Sequence, residues 1–134
     1  MYLLDTDICI ELIKRKPPHL LQKLTRCSIN EIGISSITLS ELEYGVERNI
    51  HKQKNKLALA EFIAPLTVYP YDDSAALAYG KVRNWLEQEG VPIGPLDMLI
   101  GAQALALQST LVTNNEREFK RIPQLKVENW LTPS

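Results

Sequence analysis

Short apolar runs alternate with helix-length amphipathic stretches along this chain, and that alternation restricts its fold more than any other feature. Residues 1–4 (Met-Tyr-Leu-Leu), 32–37 (Ile-Gly-Ile-Ser-Ser-Ile), 66–69 (Leu-Thr-Val-Tyr) and 110–113 (Thr-Leu-Val-Thr) read as strands, and 125–127 offers a last, edge strand. Between them, apolar residues recur at helical spacing. Ile8, Ile10, Leu12 and Ile13 precede Lys14-Arg15-Lys16, cations that suit a helix C-terminus. Pro17-Pro18 interrupts that segment, and Leu20, Leu21 and Leu24 mark a second helix over 19–26. Thr38 or Ser40 is placed to cap a helix running to about Arg48. Further helices are expected over 52–64, from Asp72-Asp73-Ser74 to a stop at Gly90, and from Pro95 through Leu107. Strands alternating with helices imply βαβ units, and hence a mostly parallel sheet with helices on both faces. The expectation is an α/β chain, a single three-layer α/β/α domain over residues 1–134.

A chain of 134 residues is long enough to bury a core without cross-links. Its 45% hydrophobic and 23% charged residues exclude disorder as the default state. A formal net charge of -1 excludes a polybasic mode of nucleic-acid binding but leaves a local charged site open. Cys9 and Cys27 form no C-x-x-C pattern, the N-terminus has no signal-like basic and apolar regions, and no run is long enough to span a membrane. A soluble cytoplasmic protein with reduced thiols is therefore expected.

In open α/β sheets, ligands bind beyond the carboxyl ends of the strands. Asp5 follows the first strand, Glu41 lies in the helix after the second, and Asp97 opens the apolar helix after Pro95. Asn114, Asn115, Glu116 and Glu118 follow the strand ending at Thr113. Acids gathered from distant segments repel one another and call for a cation. Oxygen donors without His or Cys favour hard ions such as Mg²⁺ or Mn²⁺. Carboxylate-held ions of this kind serve in-line phosphodiester cleavage. Taken singly, each acid also has a plainer role. Asp5 or Thr6 is a helix cap, Glu41 a solvated helix residue, Asp97 a partner of the helix dipole, and Glu116 and Glu118 are surface charges. His19 and His51 lie in polar helical contexts and read as surface residues; Cys9, Trp85 and Trp130 read as packing residues. Lys52, Lys54 and Lys56 read as a solvated face.

Leu4-Asp5-Thr6-Asp7, Ser36-Ile37-Thr38-Leu39-Ser40-Glu41-Leu42, Pro92-Ile93-Gly94-Pro95-Leu96-Asp97 and Val112-Thr113-Asn114-Asn115-Glu116-Arg117-Glu118-Phe119 together resemble the VapC-type toxins of the PIN-domain ribonuclease family, in order, spacing and overall length. The closing Val127-Glu128-Asn129-Trp130 is similar to the end of the same subgroup. The resemblance implies a Mg²⁺-dependent endoribonuclease, with Mn²⁺ able to substitute, belonging to a toxin–antitoxin pair. It implies neutralisation by a VapB-like antitoxin and a homodimeric state. Asp5, Glu41, Asp97 and Glu118 match the family's acidic positions, Asp5 and Asp97 as the metal ligands. Thr6, Asp7, Thr113 and Asn115 fall at supporting positions. Of the acids after the last central strand, Glu118 is expected to be the outer carboxylate and Glu116 to face solvent. One departure is Asp7, where the family usually carries Asn. The Pro92–Asp97 segment resembles that of toxins that cut initiator tRNA in its anticodon stem-loop.

Two other readings compete. Asp5-Thr6-Asp7 after an N-terminal strand also fits the D-x-D of haloacid-dehalogenase-like phosphohydrolases, with Asp5 as nucleophile. That family needs a lysine and a late acidic pair, and Asn114-Asn115 stands where the pair is expected. The other reading, a non-catalytic PIN-like interaction module, conflicts with the retention of Asp5, Glu41 and Asp97.

Overall fold

The computed structural model describes residues 1–132; the last two residues of the expected 1–134 domain lie outside the described residues. Strand β1 (Tyr2–Leu4) leads into helices α1 (Thr6–Lys14) and α2 (Pro18–Thr25). A short 3-10 turn, Ile29–Glu31, precedes β2 (Ile32–Ser35), which passes directly into α3 (Ser36–Glu47). Helix α4 (Lys52–Ile63), β3 (Thr67–Tyr69), α5 (Asp73–Gln88) and α6 (Pro95–Ala106) follow. The chain closes with β4 (Thr110–Val112), α7 (Glu116–Phe119) and β5 (Lys126–Glu128). The sheet order is β3-β2-β1-β4-β5. Every neighbouring pair is parallel, as the alternation requires.

Side chains along a strand alternate between faces, and the core divides accordingly. Leu3 and Leu111 join Val82, Leu86, Met98, Ile100 and Phe119 in a buried cluster on the side of α5 and α6. Leu4, Ile34 and Val112 join Ile8, Leu12, Leu20, Leu42 and Leu59 on the side of α1 to α4. Cys9 and Trp130 are buried in the second cluster, as expected. Helices thus cover both faces, giving the three α/β/α layers. Gly33 belongs where β2 and β3 lie close: a Cβ there would come within 2.9 Å of the Thr67 carbonyl oxygen and 2.4 Å of the Tyr69 ring.

Several local expectations are corrected. Neither Thr38 nor Ser40 caps α3. Ser35, the last residue of β2, does so, its Oγ accepting from the Ile37 N–H at 2.9 Å. The shortened strand places Thr38 inside the first turns of the helix, fully buried. The 3-10 turn after α2 comes from Ser28 and Glu31, which form a reciprocal capping box. The closing strand is β5, one residue later than expected, and it lies at an edge. Trp85 is not a packing residue: it remains 38% exposed on the outer side of α5. His19 is half-buried, its Nε2 enclosed without a hydrogen-bond partner, whereas His51 and the three lysines of α4 are exposed.

Because β1 has β2 on one side and β4 on the other, the chain reverses its direction of travel across the sheet there. Such a switch point leaves a crevice beyond the carboxyl ends of the central strands. The residues following β1 and β4 are therefore the ones to inspect.

Candidate active site

Asp5 is the first residue past β1, and the ladder still holds it, since its N–H donates to the Val112 carbonyl at 2.9 Å. Its carboxylate is buried, at 4% exposure. Oδ1 accepts from the Thr6 N–H at 2.8 Å and Oδ2 from the Thr113 hydroxyl at 2.7 Å, so the residue after β4 orients the residue after β1. Asp7 stands beside it, with Oδ1 accepting from the Ile8 N–H at 2.7 Å and Oδ2 from the Asn114 N–H at 3.0 Å. Asp5 thus serves as helix cap and as cleft carboxylate together.

Glu41 and Thr38 share a face of α3, three residues apart. The Thr6 hydroxyl donates to Glu41 Oε1 at 2.6 Å and lies 3.2 Å from the Thr38 hydroxyl. A hydroxyl carries one proton. Thr38 therefore donates to Thr6 and Thr6 to Glu41, a relay that fixes the acid from below. Asp97 occupies the first turn of α6 behind Pro95. Its Oδ2 lies 3.5 Å from the Asn115 amide nitrogen, which donates more closely to Glu118 Oε2 at 2.9 Å. The other oxygen of Glu118 accepts from the Gly94 N–H at 2.5 Å.

Asp5, Thr6, Asp7, Ile10, Glu41, Asp97 and Asn115 line one cleft of about 290 Å³. The fold therefore brings Asp5, Glu41 and Asp97 together. Glu118 stands one layer back, occupied with Gly94 and Asn115, and Thr113 acts through Asp5. Glu116 turns away, to Lys120 at 3.4 Å and Asn129 at 3.3 Å. Thr38 and the Gly94 N–H escaped the sequence reading. The i, i+3 spacing of Thr38 and Glu41 was the available signal for the first; the second depends on tertiary contact alone.

The electrostatics of the cleft are one-sided. Among the described residues, no lysine, arginine or histidine lines it. Burial first, then the adjacent Asp7 charge, pushes the Asp5 carboxyl up to about 7. Burial, then Glu118 and Glu41, pushes Asp97 up to about 6. Burial also raises Asp7. Glu118 is lowered instead, by the Gly94 N–H and then by the Asn115 amide. A divalent cation would reverse the first three shifts.

The donor set is all oxygen, which suits Mg²⁺ or Mn²⁺. Among the described residues, no three acids crowd a single point closely enough to enclose an ion. Mg²⁺ keeps several of its waters and is commonly held by only one or two carboxylates. Asp5 and Asp97, both lining the cleft, fit that arrangement. The phosphohydrolase reading finds less support: among the described residues no lysine lines the cleft.

The PIN domain family model matches residues 2–125. The chain is 43% identical to "Ribonuclease VapC2" of Rickettsia felis, over 97% of this chain and 98% of the relative. It is 40% identical to the "tRNA(fMet)-specific endonuclease VapC" of Salmonella typhimurium, over 96% of this chain and 97% of the relative. Among solved structures, the Rickettsia felis VapBC2 complex bound to a DNA fragment from its promoter superposes with a TM-score of 0.92 at 42% identity, covering 96% of this chain and 98% of that one. The DNA-bound VapBC of Salmonella typhimurium gives 0.90 at 40% identity, covering 96% and 97%. Matched from its first strand almost to its last, with its acids gathered at the switch point of the sheet, the chain belongs to the PIN domain family, among the VapC-type toxins.

Proposed function

We propose that the protein is a Mg²⁺-dependent endoribonuclease toxin, with Mn²⁺ able to substitute, acting as one domain in the cytoplasm. The observation that carries the reading is the cleft itself. Asp5, Asp7, Glu41 and Asp97 converge there from the end of β1, α1, α3 and α6, and no cationic side chain among the described residues lines it. An RNA phosphate would be repelled by such a surface until a divalent ion screens it. The ribonuclease names of the relatives agree.

Asp5 and Asp97 would hold the ion, Asp5 kept in place by Thr6 and Thr113. A divalent ion bound there supplies Lewis-acid polarisation of a phosphate oxygen and lowers the pKa of a nearby water. Glu41, held through Oε1 by Thr6, would take a proton through its other oxygen in this reading. Asn115 presents a neutral amide to the cleft, and Glu118 keeps that amide oriented.

A tRNA is the preferred substrate in this reading, supported by the name of the Salmonella relative. The partner in this reading is a VapB-like antitoxin, supported by the solved VapBC complexes; a homodimeric toxin is what the family resemblance implies. An arginine of the antitoxin entering the acidic cleft would pair with the carboxylates and displace the metal. Mapping cleavage sites in total RNA with the wild type and with Asp5→Ala tests the main reading. Mg²⁺-dependent cuts that vanish in the variant are expected; cuts that persist without added metal overturn it. For the partner, antitoxin affinity should fall, and lose much of its salt dependence, in an Asp5→Asn/Asp97→Asn double variant.

A further inference from the structure

Gln103 is a polar side chain sealed in the core, 2% exposed, among the apolar residues of α6. Its amide is fully used. Oε1 accepts from the Ser35 hydroxyl at 2.5 Å, and Nε2 donates to the Tyr69 and Pro70 carbonyls, each at 3.0 Å. Ser35 and Tyr69 are paired across the last rung between β2 and β3. One side chain from α6 therefore clasps the carboxyl ends of two neighbouring strands, on the edge where the cleft is built.

What hangs from those contacts matters more than the contacts. Ser35 caps α3, which carries Thr38 and Glu41. Gln103 lies six residues beyond Asp97 on the same helix, about 9 Å along its axis. A second tie, from the Tyr71 N–H to the Ser36 hydroxyl at 3.0 Å, binds the exit of β3 to the first residue of α3. We infer that Gln103 is a positioning residue that sets α3 against α6, so that Glu41 and Asp97 line the same cleft. The consequence for cleavage rests on the ribonuclease reading; the helix-to-helix tie does not.

The test compares Gln103→Met, which keeps volume and removes all three hydrogen bonds, with Val82→Ala, a core change on α5 away from the cleft. Amide hydrogen exchange of Ile37 and Thr38 should rise at least about tenfold in Gln103→Met beyond any rise in the control. On RNA, kcat should fall at least about tenfold while KM stays within about threefold. Should Gln103→Met not fold, Gln103→Glu is used. Held neutral by burial, it keeps the acceptor for Ser35 and has one O–H for only one of the Tyr69 and Pro70 carbonyls, so a smaller loosening in the same direction is expected. Exchange at the start of α3 no faster than in Val82→Ala overturns the inference, as does faster exchange with undiminished kcat. A wild type that cuts no RNA removes the ribonuclease reading, and the exchange comparison then decides the tie alone.

Discussion

Neutralising Asp5 or Asp97 separates charge from shape. Asn keeps the size and the capping ability of Asp but offers a metal only a neutral oxygen. Asp5→Asn and Asp97→Asn are each expected to lower kcat for RNA cleavage by about 100-fold or more with the fold retained, as circular dichroism would show. Glu118→Gln should cost closer to tenfold, the scale of a supporting residue, because Glu118 reaches the cleft only through Gly94 and Asn115. Kinetics at saturating Mg²⁺ decide the order, and equal losses in all three would place Glu118 among the direct ligands. The residues that follow a strand were legible in the sequence, because a sheet edge is a fixed place and a short acid beside it has few places to go. Thr38 was misread because its hydroxyl also suits a helix cap, and the choice between cap and cleft is made by where β2 stops. The engagement of Glu118 with Gly94 was not legible at all: it joins residues 24 apart, across a contact between α7 and the loop before α6.

Helix α6 and helix α5 each carry a glycine in mid-helix, and the two answer the same substitution in opposite senses. At Gly80, on α5, a Cβ meets nothing within 4 Å. Gly80→Ala should therefore stabilise by about 0.5–1 kcal/mol, the difference in helix propensity. At Gly101, on α6, a Cβ would stand 2.5 Å from Ile122 Cδ1 and 3.3 Å from the Phe119 ring. Gly101→Ala should destabilise by roughly 1–3 kcal/mol, the cost of overpacking a close-packed core. Urea unfolding of both variants checks the pair, and a stabilised Gly101→Ala would mean that the Ile122 side chain yields easily. The number and order of elements were legible from periodicity. Boundaries set by a side chain's choice of partner were not: the Ser35 cap depends on the register of β2, and the turn at Ile29–Glu31 on a box only three residues wide. Trp85 was misplaced because a large aromatic on an amphipathic helix reads as core, whereas the buried side of α5 is supplied by Ala75, Val82 and Leu86.

At the scale of the whole molecule, a net charge of -1 hides a concentrated field. Folding raises the Asp5 carboxyl to about 7 and Asp97 to about 6, so between roughly pH 4 and 7 the native state holds more protons than the unfolded chain. Stability of the metal-free protein should therefore fall as pH rises through that window, by on the order of 2–4 kcal/mol. Thermal unfolding in EDTA at pH 5 and pH 8 measures this, and a higher Tm at pH 8 would contradict the shifts. Asp5→Asn should remove much of the slope and raise the Tm at pH 8. Millimolar Mn²⁺ should raise the wild-type Tm at pH 8 by mass action, and do so much less in Asp5→Asn and Asp97→Asn. The central position of β1 has a further consequence, in the order of events during synthesis. Strand β1 is flanked by β2, some 30 residues downstream, and by β4, more than 100 downstream, and the hydroxyl that orients Asp5 lies 108 residues further along the chain. A ribosome partway through the message thus carries a chain with its first acids made and nothing yet to aim them. The carboxylate cleft can be completed only after β4 and Thr113 have left the ribosome and paired with β1.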